Sequence, residues 1–249
     1  MGHPFEITQT IEVDATAEEA WDAIATGRGQ DSWFMGRNTV EPREGGTATF
    51  SVGDFTQTST VTAWQPPTRF GFASDEGVVG ASHRFDYRIT ERTGGGVSIR
   101  YEHTGMLGDD WEAEYEAMQE GDPAYVFKLH QYLTYFAGRY GTAVEAFGPE
   151  IADRDRAMAV YRQVLGLGDD DQVDAPVKVE LEGIGSIDGL VDFLSPSFIG
   201  VRTPDAILRF IWSFDGRSYL GHHLFGEGVD HAEAERAWTD WLTRTFSDA

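Results

Sequence analysis

The residues best suited to chemistry in this chain fall on two runs of alternating character, HRFDYRI at 83–89 and VSIRYEH at 97–103. Successive side chains of a strand point to opposite faces. His83, Phe85, Tyr87 and Ile89 therefore share one face of the first run, and Val97, Ile99, Tyr101 and His103 share one face of the second. Imidazoles and phenols on apolar faces can accept and donate protons, the histidines near neutral pH. A third run, RFGF at 69–72, adds Phe70 and Phe72. A mostly apolar wall with a few convergent polar groups is the usual form of a small-molecule site, although the same rings can fill a core simply by touching one another. For His103 the sequence fixes no partner: Asp109, Asp110, Glu112 and Glu114 follow in a segment that reads as a solvated loop. No residue is assigned a catalytic role on this basis.

Other chemistries drop out. There is no cysteine, which excludes disulfides, thiol catalysis and cysteine-based zinc or iron–sulfur sites. His222 and His223 are adjacent, so on a strand they face opposite ways and cannot readily share an ion. His130, one residue beyond Leu129 on a helix, reads as a rim or core histidine. No H-E-x-x-H, G-x-G-x-x-G, P-loop or G-x-S-x-G pattern occurs, and TGGGV at 93–97 is a hairpin turn between strands. The expectation is no metal and no cofactor. A net charge of −23, from 19 basic and 42 acidic residues, argues against nucleic acid and anionic membrane as partners. The N-terminal MGHPFEITQT lacks a signal pattern and no apolar stretch reaches the length of a membrane span, which predicts a cytoplasmic protein.

The elements that must position these side chains are legible from periodicity. FEITQTIEV at 5–13 alternates as a strand. Thr16 and Glu19 form a capping box for a helix whose apolar face is Ala17, Ala20, Trp21 and Ile24, and Gly27 and Gly29 stop it before a short turn at Gln30–Phe34. From Thr47 to His103, runs of period two separated by Gly-, Pro- and Asp-bearing turns read as an antiparallel meander. Gly105–Gly121 reads as an acidic loop over the sheet, or in part as helix. Asp122 and Pro123 then make an N-cap and first helical position for a long helix carrying Val126, Leu129, Leu133, Phe136 and Tyr140. Strand, helix, meander and long helix together predict an α+β fold in which a curved antiparallel sheet wraps one helix and leaves a cavity between them.

IEVDATAEEAWDAIATGRGQDSWF, TVTAWQPPTRFGF and PAYVFKLHQYLTYF resemble the SRPBCC superfamily. This helix-grip group contains START lipid-binding domains, the birch-pollen allergen and polyketide cyclases. The nearest branch is similar to the C-terminal domain of the Hsp90 ATPase activator. The resemblance spans about residues 3–145 and implies the fold and the capacity to hold a ligand, not a particular chemistry. On this reading the cavity walls are Trp33, Phe72, Phe85, Tyr87, Tyr101 and His103, closed by Leu129, Leu133 and Phe136; the excursion after the first strand delivers Trp33 and Phe34 to the open edge between sheet and helix.

Gly148–Pro149 is read as the end of the first unit, giving domains 1–147 and 148–249. The second contains a helix at Asp153–Leu165, five strand-like runs (VKVELE, GLVDFL, FIGVRT, AILRFIWSF, SYLGHHLF) and a final helix with Trp238, Trp241, Leu242 and Phe246. It reads as a degenerate second helix-grip copy lacking its opening strand, with an unrelated α+β appendage as the alternative. The segment DRDRAMAVYRQVLGL is also similar to the first helix of vicinal-oxygen-chelate proteins, for which Glu145 or Glu150 would be the metal-ligand candidates. Three functional readings follow: a binding protein for a small apolar or aromatic molecule, a cyclase, aromatase or hydrolase using His103 with Tyr87 or Tyr101, and a partner-binding or self-associating protein of the chaperone-activator kind. An inward histidine–carboxylate pair favours the enzyme; a sealed, filled cavity favours the partner-binding protein.

Overall fold

The computed structural model describes residues 2–75, 81–108 and 111–247. Two compact units divide the chain, Met1–Tyr140 and Gly141–Ala249.

The first unit runs β1 (His3–Val13), α1 (Ala17–Ala25), α2 (Gly27–Gln30), β2 (Arg37–Val40), β3 (Thr47–Val52), β4 (Phe55–Gln65), β5 (Arg69–Asp75), β6 (Ser82–Glu91), β7 (Val97–Leu107) and α3 (Trp111–Tyr135). Its sheet has the order β1-β7-β6-β5-β4-β3-β2, antiparallel at every pairing. The first strand thus returns beside the last, and the strands between form a meander. The capping box holds as the sequence predicts: Glu19 N–H donates to Thr16 Oγ1 at 3.1 Å while Thr16 N–H donates to Glu19 Oε2 at 2.8 Å, satisfying two orphan donors of the first turn. Thr26 caps α2 by accepting from Gly29 N–H.

Two helical expectations are corrected. α3 is already helical at Trp111, so the helical alternative for the acidic segment holds from that residue on, and Pro123 lies inside the helix and not at its start. Glu112, Glu114 and Glu116 are exposed, and charge alone does not distinguish a solvated helix from a solvated loop. At the other end the helix stops at Tyr135, and Tyr140 lies beyond it with the Arg28 guanidinium 3.5 Å over its ring. The buried positions of α3 all lie at Ala124 or later; its C-terminal half packs as core and its first half as cover.

The second unit runs β8 (Thr142–Glu150), α4 (Arg154–Val164), β9 (Pro176–Leu181), β10 (Gly185–Leu194), β11 (Phe198–Thr203), β12 (Ala206–Trp212), β13 (Arg217–Leu224) and α5 (His231–Thr245). Its sheet order is β8-β13-β12-β11-β10-β9, all antiparallel. Strand, helix, meander, final helix, with first strand beside last, is the topology of the first unit with one strand fewer. The opening strand thought to be missing is β8. It pairs with β13, which places the division at 140/141 where the sequence suggested 147/148. Pro149 is tolerated there because β8 is an edge strand and Pro149 sits near its end. Among the described residues neither Glu145 nor Glu150 belongs to a group of three or more side chains arranged to hold a metal. Asp153 caps α4, and Tyr161, Phe210, Trp238, Trp241 and Phe246 fill the core between sheet and helices. Across β10–β12 a buried Arg209 reaches over Gly200 to grip Asp192 with both terminal nitrogens, at 2.9 and 3.1 Å.

Candidate functional site

The β6–β7 register sets Tyr87 opposite Tyr101 and Phe85 opposite His103, and β5 sets Phe72 opposite Phe85. These five predicted site residues form one row of touching rings. Phe72 stacks on Phe85 at 4.8 Å between centroids, Phe85 on His103 at 4.0 Å, and Tyr87 meets Tyr101 at 5.2 Å. Leu129 and Leu133 are buried on α3, and Phe136 is buried in the turn after it. Trp33 is engaged elsewhere: its indole N–H donates to the Ala23 carbonyl at 2.9 Å and its ring meets Phe34. Phe34 in turn meets Tyr125 of α3 at 5.3 Å, so the excursion after β1 reaches the long helix through Phe34.

The polar centre of the site is a residue that periodicity missed. Asp122, expected as an N-cap, sits well inside α3 and aims its carboxylate at β7: Oδ2 lies 2.7 Å from His103 Nδ1. The signal was available, since Asp122 falls four and seven residues before Val126 and Leu129, on their face of the helix. With the carboxylate as acceptor, His103 Nδ1 carries the proton, and Nε2 lies 3.0 Å from His83 Nδ1. His83 Nε2 is 3.5 Å from Glu114 Oε1 on the first half of α3. Of the four acidic residues considered as partners for His103, Glu114 therefore reaches it only through His83, while Asp109 and Asp110 lie outside the described residues.

Tyr101 hydrogen-bonds Asp122 as well, and its hydroxyl is held well above the ordinary phenol range, by burial first and by the Asp122 charge second. Burial, with a smaller push from Asp122, raises Tyr87 likewise. Both phenols thus remain proton donors across the physiological range. Two protonated hydroxyls, a carboxylate and an oriented imidazole meet where the aromatic row ends against α3, a grouping able to donate to an oxygen and accept a proton within one small volume.

The remaining histidines do different work. His222 is fully buried; its Nδ1 accepts the Arg209 backbone N–H at 3.0 Å, and its ring packs edge-on to Trp238 at 4.4 Å. His130 lies beside Phe127 on α3. Among the described residues no group of three or more histidine, aspartate or glutamate side chains is arranged to hold a metal, and no helix is long and apolar enough to cross a membrane.

No curated protein matches the chain. Solved structures similar to it include a protein from Mesorhizobium loti (19% identity, 52% of this chain and 96% of that one, TM-score 0.45). A Bacillus halodurans protein is also similar (22% identity, 52% and 96%, TM-score 0.44), as is the Aha1 dimer from Colwellia psychrerythraea (16% identity, 54% and 99%, TM-score 0.45). Residues 4–127 match the model of the family described as polyketide cyclase / dehydrase and lipid transport, from β1 into α3 and through both halves of the His103–Asp122 pair. With its helix-grip topology, the first unit therefore belongs to that family, within the SRPBCC superfamily.

Proposed function

We propose that the first unit takes a small apolar or aromatic molecule between its sheet and α3 and moves protons on it. The observation that carries this reading is the inward pair formed by His103 and Asp122, 2.7 Å apart with Tyr101 on the same carboxylate. A histidine serving only as packing does not need an oriented carboxylate. The chemistry that suits these groups is proton transfer beside a carbonyl, a step common to cyclisations and dehydrations. Tyr101 and Tyr87 donate hydrogen bonds to the carbonyl oxygen as charge develops there, and the Asp122 carboxylate, oriented by His103, takes the proton from the adjacent carbon and returns it. The aromatic row supplies the apolar wall. Burying about 200 Å² of ligand surface is worth roughly 5 kcal/mol before ordering costs, enough for binding in the micromolar range or weaker.

Two variants test the reading. Tyr101→Trp puts a bulkier ring beside Asp122 and should abolish uptake of an apolar fluorescent probe in a protein that remains folded. His103→Gln should leave probe uptake within about twofold while removing turnover of an enolisable aromatic ketone, followed by loss of its α-deuterium, by a factor of about 100 or more. Unchanged probe uptake in Tyr101→Trp would place the ligand elsewhere; absence of deuterium loss in the parent protein would reduce the site to binding alone.

A further inference from the structure

We infer that His83 and Glu114 are the proton exit of this site, joining His103 to solvent; the inference rests on the proton-transfer reading above. His103 has no route of its own. Its side chain is 4% exposed, Phe85 stacks over its ring at 4.0 Å and Phe5 meets it edge-on at 4.8 Å. Both ring nitrogens are taken, one by Asp122 and the other by His83. A proton on His103 must therefore leave through one of these two neighbours. Asp122 leads back to Tyr101 and the interior. His83 leads outward: its side chain is 12% exposed and that of Glu114, on the cover half of α3, is 46% exposed.

The bond order along the path is complete. When His103 Nδ1–H donates to Asp122, His103 Nε2 has a lone pair, and His83 Nδ1–H is the group placed to fill it. Outward transfer ends in that arrangement: Asp122 gives its proton to His103 Nδ1, the His103 Nε2–H bond breaks as His83 Nδ1–H forms, and the His83 Nε2–H bond breaks as its proton passes to the Glu114 carboxylate or to water beside it. One proton moves out, and each ring stays neutral with its proton on the other nitrogen. Ring rotation or the reverse sequence resets it. Two imidazoles in line between two carboxylates differ from the pattern of a packing histidine, which His222 illustrates by accepting a backbone N–H; neither nitrogen of His103 is spent on backbone. His83 and Glu114 are thus positioning residues for the proton, acting through His103.

The test needs no substrate, so its outcome is separate from that of the proposed function. In protein labelled with ¹⁵N-histidine, the His103 Nδ1–H proton is followed by its rate of exchange with water. His83→Phe keeps a ring against His103 and removes both nitrogens; exchange should slow by about tenfold or more while the His103–Asp122 resonance persists. Glu114→Gln, on the solvent side of α3, should slow it by a smaller factor with no change in fold. Exchange within about twofold of the parent in both folded variants would overturn the exit. Should His83→Phe fail to fold, the Glu114→Gln rate alone decides: slower exchange upholds the path and parental exchange refutes it.

Discussion

Gly105 stands directly opposite His83 across the β6–β7 pairing, and a Cβ on Gly105 would lie 1.9 Å from the Ser82 carbonyl oxygen and 2.9 Å from the Phe5 ring. The missing side chain lets the two strands and Phe5 close around the point where His83 leans on His103. Because the obstructing atom is backbone, it cannot swing away. Gly105→Ala should cost about 1–3 kcal/mol in a denaturant melt and weaken the His83–His103 contact, visible as a changed His83 ring nitrogen shift. A neutral melt and unchanged shift would show that the strands have room to spare.

Asp122 holds the His103 tautomer. Asp122→Asn keeps the size of the group and one acceptor oxygen but replaces the other with an amide donor, so the side chain no longer fixes the proton on His103 Nδ1. Proton transfer on the ketone should fall about 100-fold, while stability changes by no more than about 1 kcal/mol. The downfield His103 Nδ1–H resonance should move upfield. A variant with full turnover would assign the carboxylate to structure alone.

His130 sets a pH dependence of stability. Burial lowers its pKa from the ordinary 6.5, and its Nδ1 is buried without a hydrogen-bond partner. The unfolded chain therefore binds the proton more readily than the folded one does. Its contribution is fully present above about pH 6.5 and is lost as pH falls toward the lowered folded value. Urea melts at about pH 7.5 and about pH 5.5 should show His130→Leu losing less stability over that interval than the parent. Equal losses would assign the acid sensitivity to other groups.

Gly200 should prove as demanding as Gly105, for a different reason. Its missing Cβ is the floor under the buried pair: a methyl there would stand 2.3 Å from Asp192 Oδ1 and 2.6 Å from Arg209 Nη1. Gly200→Ala forces apart two charges with almost no access to water and should destabilise the second unit by about 3–5 kcal/mol. Calorimetry would show this as a lowered transition, and an unshifted one would mean the pair tolerates separation.

Most of the fold was legible because alternation and capping act locally. Thr16 with Glu19, the period-two runs from Thr47 to His103, and the helix at Asp153–Leu165 were each read from a few neighbouring residues. What escaped depends on distant partners. β8 carries Pro149 and looks like the tail of the first unit until β13 is there to pair with it. The first half of α3 carries Glu112, Glu114, Glu116 and Glu120 and buries nothing fully, so no apolar stripe announces it. In the candidate site the strand residues were found by face, whereas Asp122 was hidden by a competing local meaning. Asp before Pro is a strong helix-start signal, and only a helix already in progress turns that side chain inward.

The last strand of each unit carries a buried histidine that faces the unit's last helix. In the first, the ring meets a carboxylate; in the second, it meets the indole of Trp238. One fold is thus present twice in a single polypeptide, once with polar groups kept dry at its centre and once with that space given over to aromatic packing. The chain carries its own reference state: relaxation rates and local unfolding energies of the second unit give the rigidity this topology reaches when its centre is packed with aromatic rings. The difference between the two halves measures how much rigidity a buried polar centre costs.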